Sequence, residues 1–205
     1  MRPESLRRWS ASVGEALREP EQFAARRHQG EVDYPAGVWL ALGLTAALGT
    51  SIYGMTMGLR HGPAVVGEKA ALFTLAAGLA WAVPLPALYI LNSLAGAKLR
   101  PSTTLLAALV TTSWGGLAMI ASVPINWFFS TALPEVPTIG PWWAAQLVRG
   151  VNLLIFAGVG VSMIDVFRRV MERLEPGHGG RALWYLALVG VIGAQLFYLF
   201  GLFEI

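Results

Sequence analysis

The chain has no cysteine, only three histidines, and a single carboxylate, Asp165, within its long apolar stretches. Without cysteine there is no disulfide framework, thiolate nucleophile or cysteine metal site. His28, His61 and His178 each fall in a polar joint, and no HExxH motif sets two histidines on one helix face. Aspartyl catalysis inside a membrane needs two carboxylates that share a proton. Asp165 stands alone beside Arg168 and Arg169, which reads as an interfacial ion pair. No GxSxG elbow, SxxK pair, Walker loop or GxGxxG turn occurs. These absences predict a protein that is not an enzyme, with no catalytic residue, cofactor or metal. Charge is scarce too: 13% of 205 residues, for a net charge of +3. That is too small and dispersed to suggest nucleic acid.

Apolar sequence is abundant. At 55% hydrophobic residues the chain has more apolar surface than a soluble core of this length can hide, so its main solvent is lipid. Five apolar blocks stand out, about 38–57, 71–94, 104–129, 145–167 and 182–203. A helix needs about 20 residues to cross a hydrocarbon layer about 30 Å thick, and each block supplies them. They predict an all-α polytopic membrane bundle of five transmembrane helices over residues 37–205, preceded by an N-terminal segment, residues 1–36. The first apolar run begins near Gly37 and is long enough to span, so it is expected to direct insertion itself, without a cleavable signal peptide.

The basic residues sort by side. The N-terminus, second joint and fourth joint hold 6, 2 and 4 Lys/Arg, against 2, 0 and 0 in the first joint, third joint and C-terminus. By the positive-inside rule the N-terminus is cytoplasmic and the C-terminus outside. The Arg-, Ala- and Gly-rich composition points to a bacterial cytoplasmic membrane.

Residues 3–18 set Leu6, Trp9, Val13 and Leu17 on one helical stripe, with Arg7, Arg8, Glu15, Arg18 and Glu19 opposite. Such an amphipathic helix lies in the headgroup region of the lipid bilayer, or docks on a partner or on its own bundle. Pro20 fits the first turn of a second short helix ending near Arg27, and Pro35 precedes the first span. Within the spans, Ala41, Thr45 and Gly49 recur at four-residue spacing, and with Gly115, Gly158 and Ser162 they form small-residue faces for helix packing. Those faces serve one bundle or a homo-oligomer seam. Pro84 and Pro86 remove two backbone donors in mid-span and predict a kink, or a discontinuous helix lining a substrate site. The segment TALPEVPTIGPWW carries Pro134, Pro137 and Pro141 with Glu135 as its only charge, and its Trp142 and Trp143 form an outer aromatic belt.

The fourth block continues as RRVMERLE, so Arg168, Arg169 and Arg173 meet the inner leaflet, where each gains about 1 kcal/mol from anionic lipid. The remaining polar groups near the spans are Arg149, Asn152, Asn92 and Asn126. A charge costs about 2.5 kcal/mol or more at mid-membrane and less near an interface. Arg149 therefore either snorkels, paired with Glu204, or helps to form a ligand or lipid-phosphate site.

The order of parts carries a family resemblance. The P-x-x-F element in EPEQFAARR, Pro35 before the first span and the hairpin LNSLAGAKLRPSTTLLAAL together resemble the Yip family, the Ypt/Rab-interacting five-helix membrane proteins, in its prokaryotic form, over roughly residues 19–203. In the eukaryotic branch the resemblance implies binding of small GTPases and a part in vesicle traffic or membrane shaping. The expectation is a non-enzymatic scaffold or accessory subunit of a larger membrane assembly, whose membrane or cytoplasmic protein partner meets residues 1–30 and 168–181. The alternative is a small transporter or channel component built on Arg149, Asn152 and the Pro84/Pro86 break.

Overall fold

In lipid, a backbone must satisfy its own polar groups, which restricts spanning segments to helices and closed barrels. The computed structural model describes residues 3–94, 99–132, 142–177 and 179–202, except the side chains of 3–8, Arg60, Leu88, Leu91, Asn92 and 179–185. Every described element is helical: α1 (Pro3–Arg18), α2 (Pro20–His28), α3 (Ala36–Met57), α4 (Pro63–Ala82), α5 (Leu85–Leu94), α6 (Pro101–Ala132), α7 (Trp142–Leu174) and α8 (Gly179–Leu199). Proline opens α2, α4 and α6, where its missing N–H is one that no helix would use.

Among the described residues, four segments are long and apolar enough to cross a membrane: Ala36–Met57, Pro63–Ala87, Pro101–Ala132 and Trp142–Leu174. They make the chain an integral membrane protein. The fifth expected span coincides with α8, in which the described apolar stretch, Leu186–Leu199, is shorter. The second span begins earlier than its apolar block suggests, because Gly62, at φ 95°, turns the chain directly into Pro63. Its hydrogen-bond ladder is interrupted at Pro84, although Val83 keeps helical dihedrals. The Val83 N–H still donates to the Leu79 carbonyl at 3.0 Å, Pro84 has no N–H to give, and the helix restarts at Leu85.

Neighbour relations close a ring: α6 packs on α3, α3 on α4, α4 on α8, α8 on α7, and α7 back on α6. Half of the most apolar stretch of α6 is buried against 17% for α7, so α6 is the central strut and α7 lies mostly on the outside of the bundle. The α3–α6 crossing brings backbones together. A Cβ on Gly49 would stand 2.2 Å from the Gly116 carbonyl oxygen, and Ser113 Oγ donates to the Leu42 carbonyl at 2.7 Å. Gly54 allows the same closeness to α4, since its Cβ would meet the Lys69 carbonyl oxygen at 2.8 Å.

Two apolar layers fill the ring. Away from α1 and α2, Tyr53, Phe73, Phe156 and Phe197 bring one ring each from α3, α4, α7 and α8, with centroids 4.9–5.7 Å apart. Nearer α1 and α2, Val166, Phe167, Val170, Met171 and Leu174 of α7 cluster with Ala24 of α2, Ala107 of α6 and Leu186 of α8. Trp81 leans on Phe167 with centroids 5.9 Å apart.

Candidate functional site

Two polar assemblies stand out, one at each end of the bundle. In the half away from α1, Asn152 of α7 accepts from the Tyr53 hydroxyl at 2.6 Å and donates to the Val148 carbonyl at 2.9 Å. One turn along α3, Thr56 donates to the Tyr53 carbonyl at 2.6 Å and accepts from Asn126 Nδ2 at 2.6 Å, while Ser130 donates to Asn126 Oδ1 at 3.4 Å. Asn126 and Asn152 are 0% and 1% exposed, so this is a closed seam pinning α3, α6 and α7 together. Interhelical hydrogen bonds in membranes contribute about 0.6 kcal/mol on average and up to about 1.7. Asn152→Ala should therefore destabilise the bundle by about 1 kcal/mol in a detergent melt, and the double variant with Tyr53→Phe should cost no more than the larger single change.

The other assembly joins α1, α2 and the end of α7. Trp9 and Val13 pack against Ala16, Phe23, Tyr34, Val38, Leu42, Leu106 and Val110. A Cβ at Gly37 would lie 2.2 Å from the Trp9 indole, so Trp9 and Val13 of α1 are turned onto their own bundle, and glycine is what lets the indole approach there. Phe23 stacks on Tyr34 with centroids 4.1 Å apart and planes 13° apart, and the Tyr34 hydroxyl donates to the Phe23 carbonyl at 3.1 Å. Trp39 Nε1 donates to the Tyr34 carbonyl at 3.1 Å, and Arg26 pairs with Glu15 at 2.6 Å, tying α2 to α1.

Burial, reinforced by the Glu15 carboxylate, pushes the Tyr34 phenol from 10.0 to about 12. The folded state thus holds this proton more tightly than the unfolded chain. The stability it adds is full below about pH 10 and is lost as pH rises toward about 12. An ultraviolet titration of tyrosinate should show a high-pH component that Tyr34→Phe diminishes, accompanied by loosening of α2. Titration of Tyr34 together with exposed tyrosines would contradict this packing.

On the α7 side, Asp165 accepts from Arg168 at 3.2 Å and from Arg169 Nε at 3.0 Å, and Arg169 also pairs with Glu21 of α2. An open cleft of about 370 Å³ lies between these helices, lined by Glu21, Arg168, Arg169, Glu172 and Arg173. Arg173 makes no ion pair among the described residues.

Of the expected ligand set of Arg149, Asn152, Asn92 and Asn126, two members join the seam. Asn152 and Asn126 are occupied in the seam, Asn92 sits near the end of α5 with its side chain outside the described residues, and Arg149 Nε is buried without a hydrogen bond. Glu204, its expected partner, lies outside the described residues, as do Pro134, Glu135, Pro137, Pro141, and the side chains of Leu6, Arg7 and Arg8. Of the small-residue set, Gly49 and Gly115 sit in crossings, Gly115 against Met163, and Thr45 donates to the Ala41 carbonyl at 2.8 Å. Gly158 is exposed and a Cβ there would meet nothing within 4 Å, and Ser162 Oγ donates to the Gly158 carbonyl at 2.7 Å. Tyr53, Thr56, Ser130, Glu21 and Tyr34 were not singled out by the sequence, although Tyr53 and Thr56 are polar groups three apart in an apolar run. Comparison with protein-family models, with curated proteins and with solved structures returns no match to this chain.

Proposed function

We propose that the chain is a non-enzymatic membrane scaffold or accessory subunit that presents α1, α2 and the end of α7 as a contact platform on the cytoplasmic side of a bacterial membrane. One observation carries this reading: α7 has 33 residues and α2 packs along its end. A helix of that length extends about 50 Å, against a hydrocarbon layer of about 30 Å. The surplus forms a rigid post outside the lipid, clamped by the Arg169–Glu21 pair.

In this reading α8 is the fifth span. It has 21 residues and occupies the ring position between α4 and α7. At 1.5 Å per residue such a helix reaches about 30 Å, the thickness of the hydrocarbon layer. The arrangement then follows the five-helix, N-terminus-inside plan of the Yip family. Positioning rather than passage suits a ring whose centre is filled by Phe73 and its aromatic neighbours. Isolation in mild detergent tests the proposal by mass. The protein should be recovered in a complex larger than its 22.0 kDa chain, and recovery that is always alone would sink the scaffold reading.

A transporter reading is favoured by one feature, the buried Arg149 Nε that has no hydrogen bond. It predicts reconstituted flux of an anion that Arg149→Ala abolishes. Unchanged flux in that variant removes Arg149 from any pathway.

A further inference from the structure

We propose that the cleft between α2 and α7 binds the phosphodiester headgroup of a membrane phospholipid, with preference for a net anionic headgroup that carries hydroxyl donors. The inference rests on the platform reading, which sets this face at the membrane surface, and it names what the surface holds.

Position is the first argument. On the outer face of α7 the last exposed large apolar side chain is Val161, and the exposed positions that follow it in the helix, Asp165, Arg168, Arg169, Glu172 and Arg173, are all charged. The cleft therefore opens where α7 leaves hydrocarbon, at the depth of lipid phosphates.

The second argument is how the cations are held. Asp165 orients both Arg168 and Arg169, and Glu21 fixes Arg169 from across the cleft. A guanidinium has five N–H donors, so donors remain free beyond those pairs. Arg173, one turn further on, is exposed and has no ion pair among the described residues. Asp165, Glu21 and Glu172 match the three arginines in number, but Asp165 and Glu21 are paired with Arg168 and Arg169 and Glu172 accepts from the Gly177 N–H, so Arg173 is the cation placed to meet one negative charge.

The carboxylates decide which anion. Glu21 and Glu172 line the same cleft, and Glu172 already accepts from the Gly177 N–H at 2.9 Å. They oppose a free phosphate, which approaches two charges at neutral pH, but can accept hydrogen bonds from headgroup hydroxyls. A singly charged phosphodiester with a hydroxylated headgroup fits both signs, and a volume of about 370 Å³ admits one.

Native mass spectrometry of the full chain in detergent tests this with three probes: short-chain phosphatidylglycerol, short-chain phosphatidylcholine and inorganic phosphate. Phosphatidylglycerol should be retained in preference to phosphatidylcholine, and inorganic phosphate at equal concentration should not displace it. Arg168→Gln and Arg173→Gln should each weaken retention about fivefold. Arg18→Gln, on the exposed side of α1, should leave it unchanged. Arg168 and Arg173 are exposed, so both variants should keep wild-type helix content by circular dichroism. Equal retention by either variant, or displacement by inorganic phosphate, overturns the headgroup site. Equal retention beside an intact complex in mild detergent overturns the headgroup site alone and leaves the platform standing.

Discussion

Replacing Gly49 by leucine is expected to cost at least about 3 kcal/mol and to prevent α3 and α6 from crossing as they do. The clash falls on backbone, since the added Cβ would stand 2.2 Å from the Gly116 carbonyl oxygen and 2.4 Å from its carbonyl carbon. Backbone cannot rotate aside, so one helix must move, and the Ser113–Leu42 hydrogen bond would go with it. Two comparisons make the result specific. Gly115→Ala meets the Met163 thioether at 2.5 Å, the end of a flexible side chain that can swing away, and should lose far less. A Cβ at Gly43 would meet nothing within 4 Å. Gly43→Leu should therefore fall within about 0.5 kcal/mol of wild type, as surface substitutions do. Thermal melts in one detergent order the three, and equal losses at Gly49 and Gly43 would contradict the crossing.

Phe73→Ala is expected to cost about 3 kcal/mol, at the lower end of what removing a buried phenylalanine does in water-soluble cores. Lipid is as apolar as the protein interior, so burial alone contributes little in a membrane, and the loss is one of packing contacts. Phe73 has many to lose: it is 0% exposed and touches rings of Tyr53, Phe156 and Phe197, from three other helices. Phe128→Ala, on a side chain 56% exposed, should be nearly silent. A silent Phe73→Ala would mean that the ring is not closed around this layer.

The membrane character of the chain was legible because apolar run length is a one-dimensional property, and α3, α6 and α7 follow it closely. The start of α4 was not, because Glu68 and Lys69 look like a polar joint. In three dimensions Lys69 Nζ donates to the Gly201 carbonyl at 2.9 Å, a cation satisfying the carbonyl end of α8, and the helix continues through it. Four-residue spacing of small side chains identified a face without saying what lies opposite. It was useful at Gly49 and uninformative at Gly158, which has the same chemistry on the exposed side of α7.

The stripe Leu6, Trp9, Val13 and Leu17 posed a similar problem, since lipid and protein reward the same apolar face; Gly37, 28 positions after Trp9, is what accepts its ring. Asn126 and Asn152 were visible as polar residues in apolar surroundings. Their partners Thr56 and Tyr53 lie 70 and 99 positions away, a distance that no local pattern bridges. The cleft was half visible, for its three arginines stand together in sequence while Glu21 comes from 148 positions away.

The platform is the centre of this account, and site-specific photo-cross-linking in cells tests it most directly. A photoreactive residue at exposed Gln22 on α2 should capture one discrete protein, whereas the same residue at Leu154, 74% exposed on the lipid side of α7, or at Thr131, at the opposite end of the bundle, should not. Capture of that protein from Leu154 or Thr131 but not from Gln22, or of no protein from Gln22, would contradict it.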